Sequence, residues 1–211
     1  MAILKILTFP DARLREVSKV VEKFDRELKT LSENMIETMY DAKGIGLAAP
    51  QVAELKRMVV IDTRPRDKEG RRYQYDEMTE LEKGIPQPLI LINPRVTRGE
   101  GKTTFDEGCL SVPTYFETVE RFNEIEVTTQ TLDGKEMIFK VDGLLAICIQ
   151  HELDHLEGTL FIDHISFIKS QRIKTQIKKH GYPVKDDDDE DESEDEKPRQ
   201  KSKTKSEKLQ V

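Results

Sequence analysis

At 211 residues the chain is long enough for one ordinary domain with a sizeable core. Apolar and charged residues each make up 36 % of it, and the net charge is −7. Residues 185–211 hold 11 acidic and 7 basic residues, a net of −4, so the rest of the chain is close to neutral. That balance argues against a DNA binder and against an acidic scaffold. Two cysteines, Cys109 and Cys148, make no disulfide framework and suit reduced thiols in a cytoplasmic protein. The stretch Met1 to Pro10 lacks signal- and transit-peptide features, and no apolar run approaches membrane-spanning length, so no membrane association is expected.

In chain order, Ile3 to Leu7 suits a short strand before a Pro10-Asp11 turn. Leu28, Leu31, Met35, Ile36 and Met39 follow helical spacing, with Asp25 suited to the N-cap and Gly44 to the stop. Next comes Gly44-Ile45-Gly46-Leu47-Ala48-Ala49-Pro50-Gln51, small and apolar except at its end. Its glycines permit close backbone approach to a ligand, and Pro50 keeps the approach to Gln51 extended; spacing alone fits a plain helix-to-strand loop equally well. Arg57 to Asp62 and Leu89 to Asn93 read as strands. Between them, Thr63 to Pro88 reads as a solvated, mobile surface loop, with a short helix expected over Asp76 to Lys83 and a lid as the alternative.

Glu107-Gly108-Cys109-Leu110-Ser111 follows. Ile125 to Thr131 and Met137 to Val141 alternate apolar and polar around Asp133-Gly134, which predicts an antiparallel hairpin. Asp142 suits the N-cap of a helix that Gly158 ends. A last helix spans Ser166 to His180, docked by Phe167, Ile173 and Ile177, with Lys169, Arg172, Lys174, Lys178 and Lys179 on it and no acidic residue between them. Beyond it the acidic run Asp186 to Glu196 and a mostly basic stretch can bury no core, so a disordered tail over 183–211 is expected after a domain at 1–182.

The chemistry concentrates in Gln150-His151-Glu152-Leu153-Asp154-His155. On a helix, His151 and His155 lie one turn apart, about 6 Å along the axis, so one metal ion fits between them. Glu152 then stands beside the metal, rotated off the ligand pair, where a carboxylate can handle the proton of a bound water. A catalytic site of this kind takes three protein ligands, and the candidates for the third are Cys109, Cys148, His164, Asp163 and Glu157. Cys148 starts about 4.5 Å toward the N-terminus from His151, too far back for its short side chain, and reads as a core or pocket-lining thiol. Cys109, on a separate loop, is favoured as the stronger ligand, while Asp163 and His164 remain open if the chain folds back.

The three motifs, Gly44 to Gln51, Glu107 to Ser111 and Gln150 to His155, occur in the order and spacing of peptide deformylase. The sequence resembles the bacterial form of that family over roughly residues 2–180. The resemblance implies an α+β fold: antiparallel β-sheets around a central metal-binding helix, with a C-terminal helix. It implies removal of the formyl group from the N-terminal formyl-methionine of nascent polypeptides, by metal-bound hydroxide with Glu152 as general acid/base. Cys109, His151 and His155 are then the metal ligands, for Fe2+ with Zn2+ or Ni2+ able to substitute. Gln51 and the N–H of Leu110 stabilise the oxyanion, and Ile45, Gly46, Leu144, Ile147 and Cys148 surround the substrate. It also implies transient ribosome contact through the basic C-terminal helix. The chain departs from the family in its long 63–88 connection. It also carries Thr114-Tyr115-Phe116-Glu117 where many members have a basic residue at the substrate rim. The competing readings are a His-Glu-x-x-His metallopeptidase, for which no further downstream ligand motif appears, and a ribosome-binding protein with a vestigial site.

Overall fold

The computed structural model describes residues 2–67, 71–73 and 78–182. The expected tail over 183–211 lies outside them, as do residues 76 and 77 of the helix expected from Asp76. Among the described residues, seven strands form two antiparallel sheets. The larger has the order β1-β2-β3-β6-β7, and β4 pairs only with β5. Here β1 is Gly46–Ala48, β2 Met58–Ile61, β3 Leu89–Glu100, β4 Thr103–Cys109, β5 Val112–Arg121, β6 Glu124–Gln130 and β7 Glu136–Asp142. The helices are α1 (Arg26–Asp41), the short α2 (Glu80–Lys83), α3 (Gly143–Leu156) and α4 (Phe167–His180). The fold is α+β, as the motifs imply. No helix among the described residues is long and apolar enough to cross a membrane.

Strand β2 shows why the sheet forms where it does. Met58, Val59, Val60 and Ile61 are all fully buried. Met58 and Val60 pack with Leu28, Met35 and Met39 of α1, while Val59 and Ile61 pack with Leu145, Ala146 and Ile149 of α3. A strand covered on both faces reads as an unbroken apolar run rather than an alternating one. The β6–β7 hairpin pairs as the alternation predicts, Val127 opposite Phe139 and Gln130 opposite Glu136. Helix α1 begins at its expected cap, where Asp25 accepts the Leu28 N–H at 3.0 Å.

Several local expectations are corrected. Residues 3–7 form no strand: Leu7 N–H donates to the Gln51 carbonyl at 2.7 Å, but no ladder follows. The segment ending in Gln51 is not extended throughout, because Ala49–Val52 closes a 3-10 turn with Pro50 near its start. The β4–β5 ribbon lacks a period-2 apolar signal, since much of its length is only partly buried. Phe167 does not dock α4; it is 76 % exposed, and Ile173 and Ile177 face the core instead.

Among its described residues, the 63–88 connection is not merely a solvated decoration. Glu82, on the one-turn helix α2, is buried and its Oε1 accepts the N–H of Leu145, in the first turn of α3, at 2.9 Å. Asp142, the N-cap position, makes no side-chain cap bond of its own and instead accepts from Thr79 Oγ1. Gly143, at φ +62°, has no room for a Cβ, which would stand 2.7 Å from the Glu82 carboxyl carbon. A distant carboxylate therefore caps the helix and meets its positive end. Glu82→Ala is expected to lower unfolding stability by about 1–2 kcal/mol in urea titrations, and an unchanged midpoint would show that the cap contributes nothing.

Candidate metal centre

Helix α3 places His151 and His155 one turn apart with ring centroids 5.1 Å from each other. The third donor arrives at the end of β4, where Leu110-Ser111 turns the chain into β5. Cys109 Sγ lies 3.3 Å from His155 Nε2. Each of Cys109, His151 and His155 is buried, and their ligand atoms lie within 4.8 Å of one another. The other third-ligand candidates are engaged elsewhere. Cys148 packs in the core with its Sγ 3.8 Å from the Ile45 carbonyl. Asp163 pairs with Arg15 and Lys174, His164 with Asp154, and Glu157 with Arg57.

The hydrogen bonds behind the histidines decide what these atoms can hold. His151 Nδ1 lies 2.8 Å from Glu107 Oε2, so Nδ1 carries the proton and Nε2 keeps its lone pair. His151 Nε2 is buried and has no hydrogen-bond partner. Burial, reinforced by His151, pushes the His155 pKa well down and keeps that ring neutral. Burial, with help from Glu152, pushes the Cys109 thiol up. Two imidazoles and a thiol converge in a dry site and leave His151 Nε2 and His155 Nδ1 without partners, which folded proteins rarely tolerate. A divalent cation satisfies them and draws off the thiol proton, so the donor set fits one.

Glu107 is itself fully buried. Arg121 grips it with Nε at 2.7 Å and Nη2 at 2.9 Å, and uses Nη1 to reach Asp154 at 2.7 Å. Burial alone would raise the Glu107 pKa, but the bonds from Arg121 and His151 prevail and hold it at about 2. Asp154 also meets His164 Nε2 at 2.7 Å, which carries the network to the surface.

Glu152 is buried with neither oxygen hydrogen-bonded. Burial first, then the charges of Glu107 and Asp154, push its pKa well above the usual carboxyl range. Strand β1 runs against it: a Cβ on Gly46 would overlap Glu152 Oε1 and stand 2.8 Å from Cys148 Sγ. Gln51 Oε1 accepts the Ala48 N–H at 2.7 Å, which turns its amide nitrogen toward Ser111 Oγ at 3.1 Å and Cys109 Sγ at 3.8 Å. Leu110 adjoins Cys109 and packs its side chain toward α1. Ile45, Cys148 and the partly buried Leu144 share one cluster, whereas Ile147 is buried outside the core clusters. The structure thus gathers residues from three distant segments around one point.

Sequence reasoning gave no role in this site to Glu107, although it lies in one of the three motifs, nor to Arg121. A signal for Glu107 was available, because residues two apart on a strand share a face and Glu107 stands two before Cys109. Arg121 offered none, since it is brought in only by the return of β5.

An α+β protein with a buried thiol–imidazole–imidazole group and an unpaired carboxyl beside it belongs among the metal-site hydrolases in form. The chain belongs to the polypeptide deformylase family, whose model matches residues 3–171, and is an enzyme of that kind. It is 46 % identical over 179 residues to the peptide deformylase of Chromobacterium violaceum, spanning 85 % of this chain and 96 % of that one. The Alkalilimnicola ehrlichii peptide deformylase is 44 % identical over 179 residues, covering 85 % and 91 %. Among solved structures, that of the Legionella pneumophila peptide deformylase aligns with TM-score 0.70 at 40 % identity, covering 84 % and 95 % of the two chains. The Ehrlichia chaffeensis enzyme, solved in complex with actinonin, aligns with TM-score 0.73 at 39 % identity, covering 85 % and 98 %.

Glu107→Ala is expected to weaken metal retention about 10- to 100-fold, measured by metal content after dialysis against graded chelator, because His151 loses its orienting partner. Wild-type retention in that variant would contradict the tautomer argument.

Proposed function

We propose that this chain removes the formyl group from the N-terminal formyl-methionine of nascent polypeptides and releases formate. The observation that carries the reading is Glu152, a buried carboxyl with no partner, directly beside the Cys109, His151 and His155 donor group. Those three residues would hold the metal, for which we propose Fe2+ with Zn2+ or Ni2+ as substitutes; a thiolate and two imidazoles suit such ions. When bound, the metal supplies Lewis acidity that makes a water nucleophilic at neutral pH.

The chain's own groups do the rest. Glu152 takes a proton from the attacking water and returns it to the leaving amine, its two oxygens being buried and free of other hydrogen bonds. Negative charge develops on the formyl oxygen, where the Gln51 amide and the Leu110 N–H donate hydrogen bonds. Gln51 is held for this by the Ala48 N–H at 2.7 Å on its other end. Ile45, Gly46, Leu144, Ile147 and Cys148 surround the methionine, with Gly46 letting the backbone lie close to the scissile bond. Residues 1–182 form the catalytic unit in this reading, with 183–211 as an appended tail. A cytoplasmic location goes with a nascent-chain substrate.

Glu152→Gln is expected to lower kcat for formate release from a formyl-Met peptide at least about 100-fold while metal content stays at wild-type level. Shortened peptide products, or free amino acid without formate, would favour a metallopeptidase instead.

We further propose transient ribosome contact through α4. Its Lys169 and Lys174 are drawn into ion pairs with Glu117 and Asp163, so the groups for RNA phosphates are Arg172, Lys178 and Lys179, all exposed. Arg172→Ala with Lys179→Ala should reduce co-sedimentation with ribosomes at low salt; undiminished co-sedimentation would count against this contact.

A further inference from the structure

Strand β1 has a demanding position: it is fully buried, but its ladder is short. It is three residues long, lies at the edge of the sheet and pairs only with β2. Yet Gly46 must run so close to Glu152 and Cys148 that not even a methyl group fits between them. Something beyond the ladder must restrain the chain where it enters β1.

The Gly44 N–H is held by the Met39 carbonyl at 2.9 Å, and the restraint on the Gly44 carbonyl comes from the 63–88 connection. Arg72 Nη2 donates to the carbonyl of Gly44 at 2.9 Å, two residues before Gly46. The same guanidinium donates through Nη1 to the carbonyls of Asp62, at 2.6 Å, and Arg64. Its side chain is 8 % exposed and lies over the Tyr40 ring, 5.1 Å from the centroid. Tyr40, from the last turn of α1, donates its hydroxyl to Asp62 Oδ2 at 2.7 Å, and Arg64 closes on Asp62 at 2.8 and 2.9 Å. Asp62 in turn gives its N–H to the Ile45 carbonyl at 2.8 Å. One planar cation thus joins the end of α1, the end of β2 and the entrance to β1, a geometry that a lysine cannot reproduce.

We infer that Arg72 is a positioning residue for the active site: its hold on the Gly44 carbonyl sets β1 against Glu152 for substrate binding. The inference rests on the deformylase reading only for the kinetic readout. Arg66 provides the control, since it stacks on the same Tyr40 ring at 5.3 Å and donates to the Tyr40 carbonyl at 3.0 Å, with no bond to Gly44.

The test compares wild type, Arg72→Met, Arg72→Lys and Arg66→Met as full-length, metal-loaded chains. Formate release from a formyl-Met peptide gives kcat and KM, and amide hydrogen exchange is followed at residues 45–48. Arg72→Met loses three charge-assisted bonds, of which the one to Gly44 acts on β1; that one predicts a KM raised about tenfold with kcat within about twofold, and exchange at 45–48 about tenfold faster. Arg72→Lys should fall between, and Arg66→Met should match wild type in both readouts. Wild-type KM and exchange in Arg72→Met overturn the inference, and so does an equal effect in Arg66→Met, which would reduce Arg72 to general docking of the connection. If Arg72→Met does not fold, Arg72→Lys decides: wild-type values in both readouts overturn the inference, and intermediate values support it. A wild-type chain that releases no formate overturns the deformylase reading, and the exchange comparison then still decides the role of Arg72.

Discussion

A carboxylate that stays ionised with no exposure to water has to be matched, and behind the histidines that carboxylate is Glu107. Arg121 matches it with a two-bond fork and His151 with a third contact. Removing one member of such a buried pair typically costs about 3–5 kcal/mol, so these groups must assemble together. Their assembly joins β4, β5 and α3, none of which share a sheet ladder with one another except β4 and β5. The same bonds dictate which nitrogen of His151 is free. Structural pairing and metal-site chemistry are therefore one arrangement rather than two.

The groups around the metal site follow from where that arrangement sits. Helix α3 lies under the sheet with most of its residues buried, so its polar side chains are stripped of water. Desolvation then separates their roles: His155 stays neutral, Cys109 keeps its proton until a cation replaces it, and Glu152 holds a proton above the usual carboxyl range. Glu107, only a few ångströms behind His151, remains ionised because it alone among them has a cation beside it. Two buried carboxyls with opposite protonation preferences suit a site in which one anchors and the other transfers a proton.

The 63–88 connection changes meaning once its contacts are seen. Arginines, lysines and glutamates in a long segment read as a solvated surface, and by composition that is the ordinary outcome. Here Glu82 enters the α3 terminus and Arg72 enters the junction of α1, β1 and β2, each at a spot where backbone groups point the right way. Charged side chains are buried when they complete hydrogen bonds the backbone would otherwise leave open.

By itself the sequence determined the features that depend on local periodicity and covalent spacing. The β6–β7 hairpin, α1 with its Asp25 cap and the two histidines one helical turn apart follow from side-chain direction along a strand or helix, which is set within a few residues. The choice of Cys109 over Cys148 was also legible, because the rise of a helix is fixed. Tertiary structure alone decided the partners that come from far away: Arg121 against Glu107, Glu82 at the start of α3, and the open faces of Phe167 and Ile3. It also left residues 3–7 without a strand, with the Leu7 N–H spent on the Gln51 carbonyl. These outcomes turn on which surfaces meet, and that is settled by the packing of the whole chain, not by the pattern within any one segment.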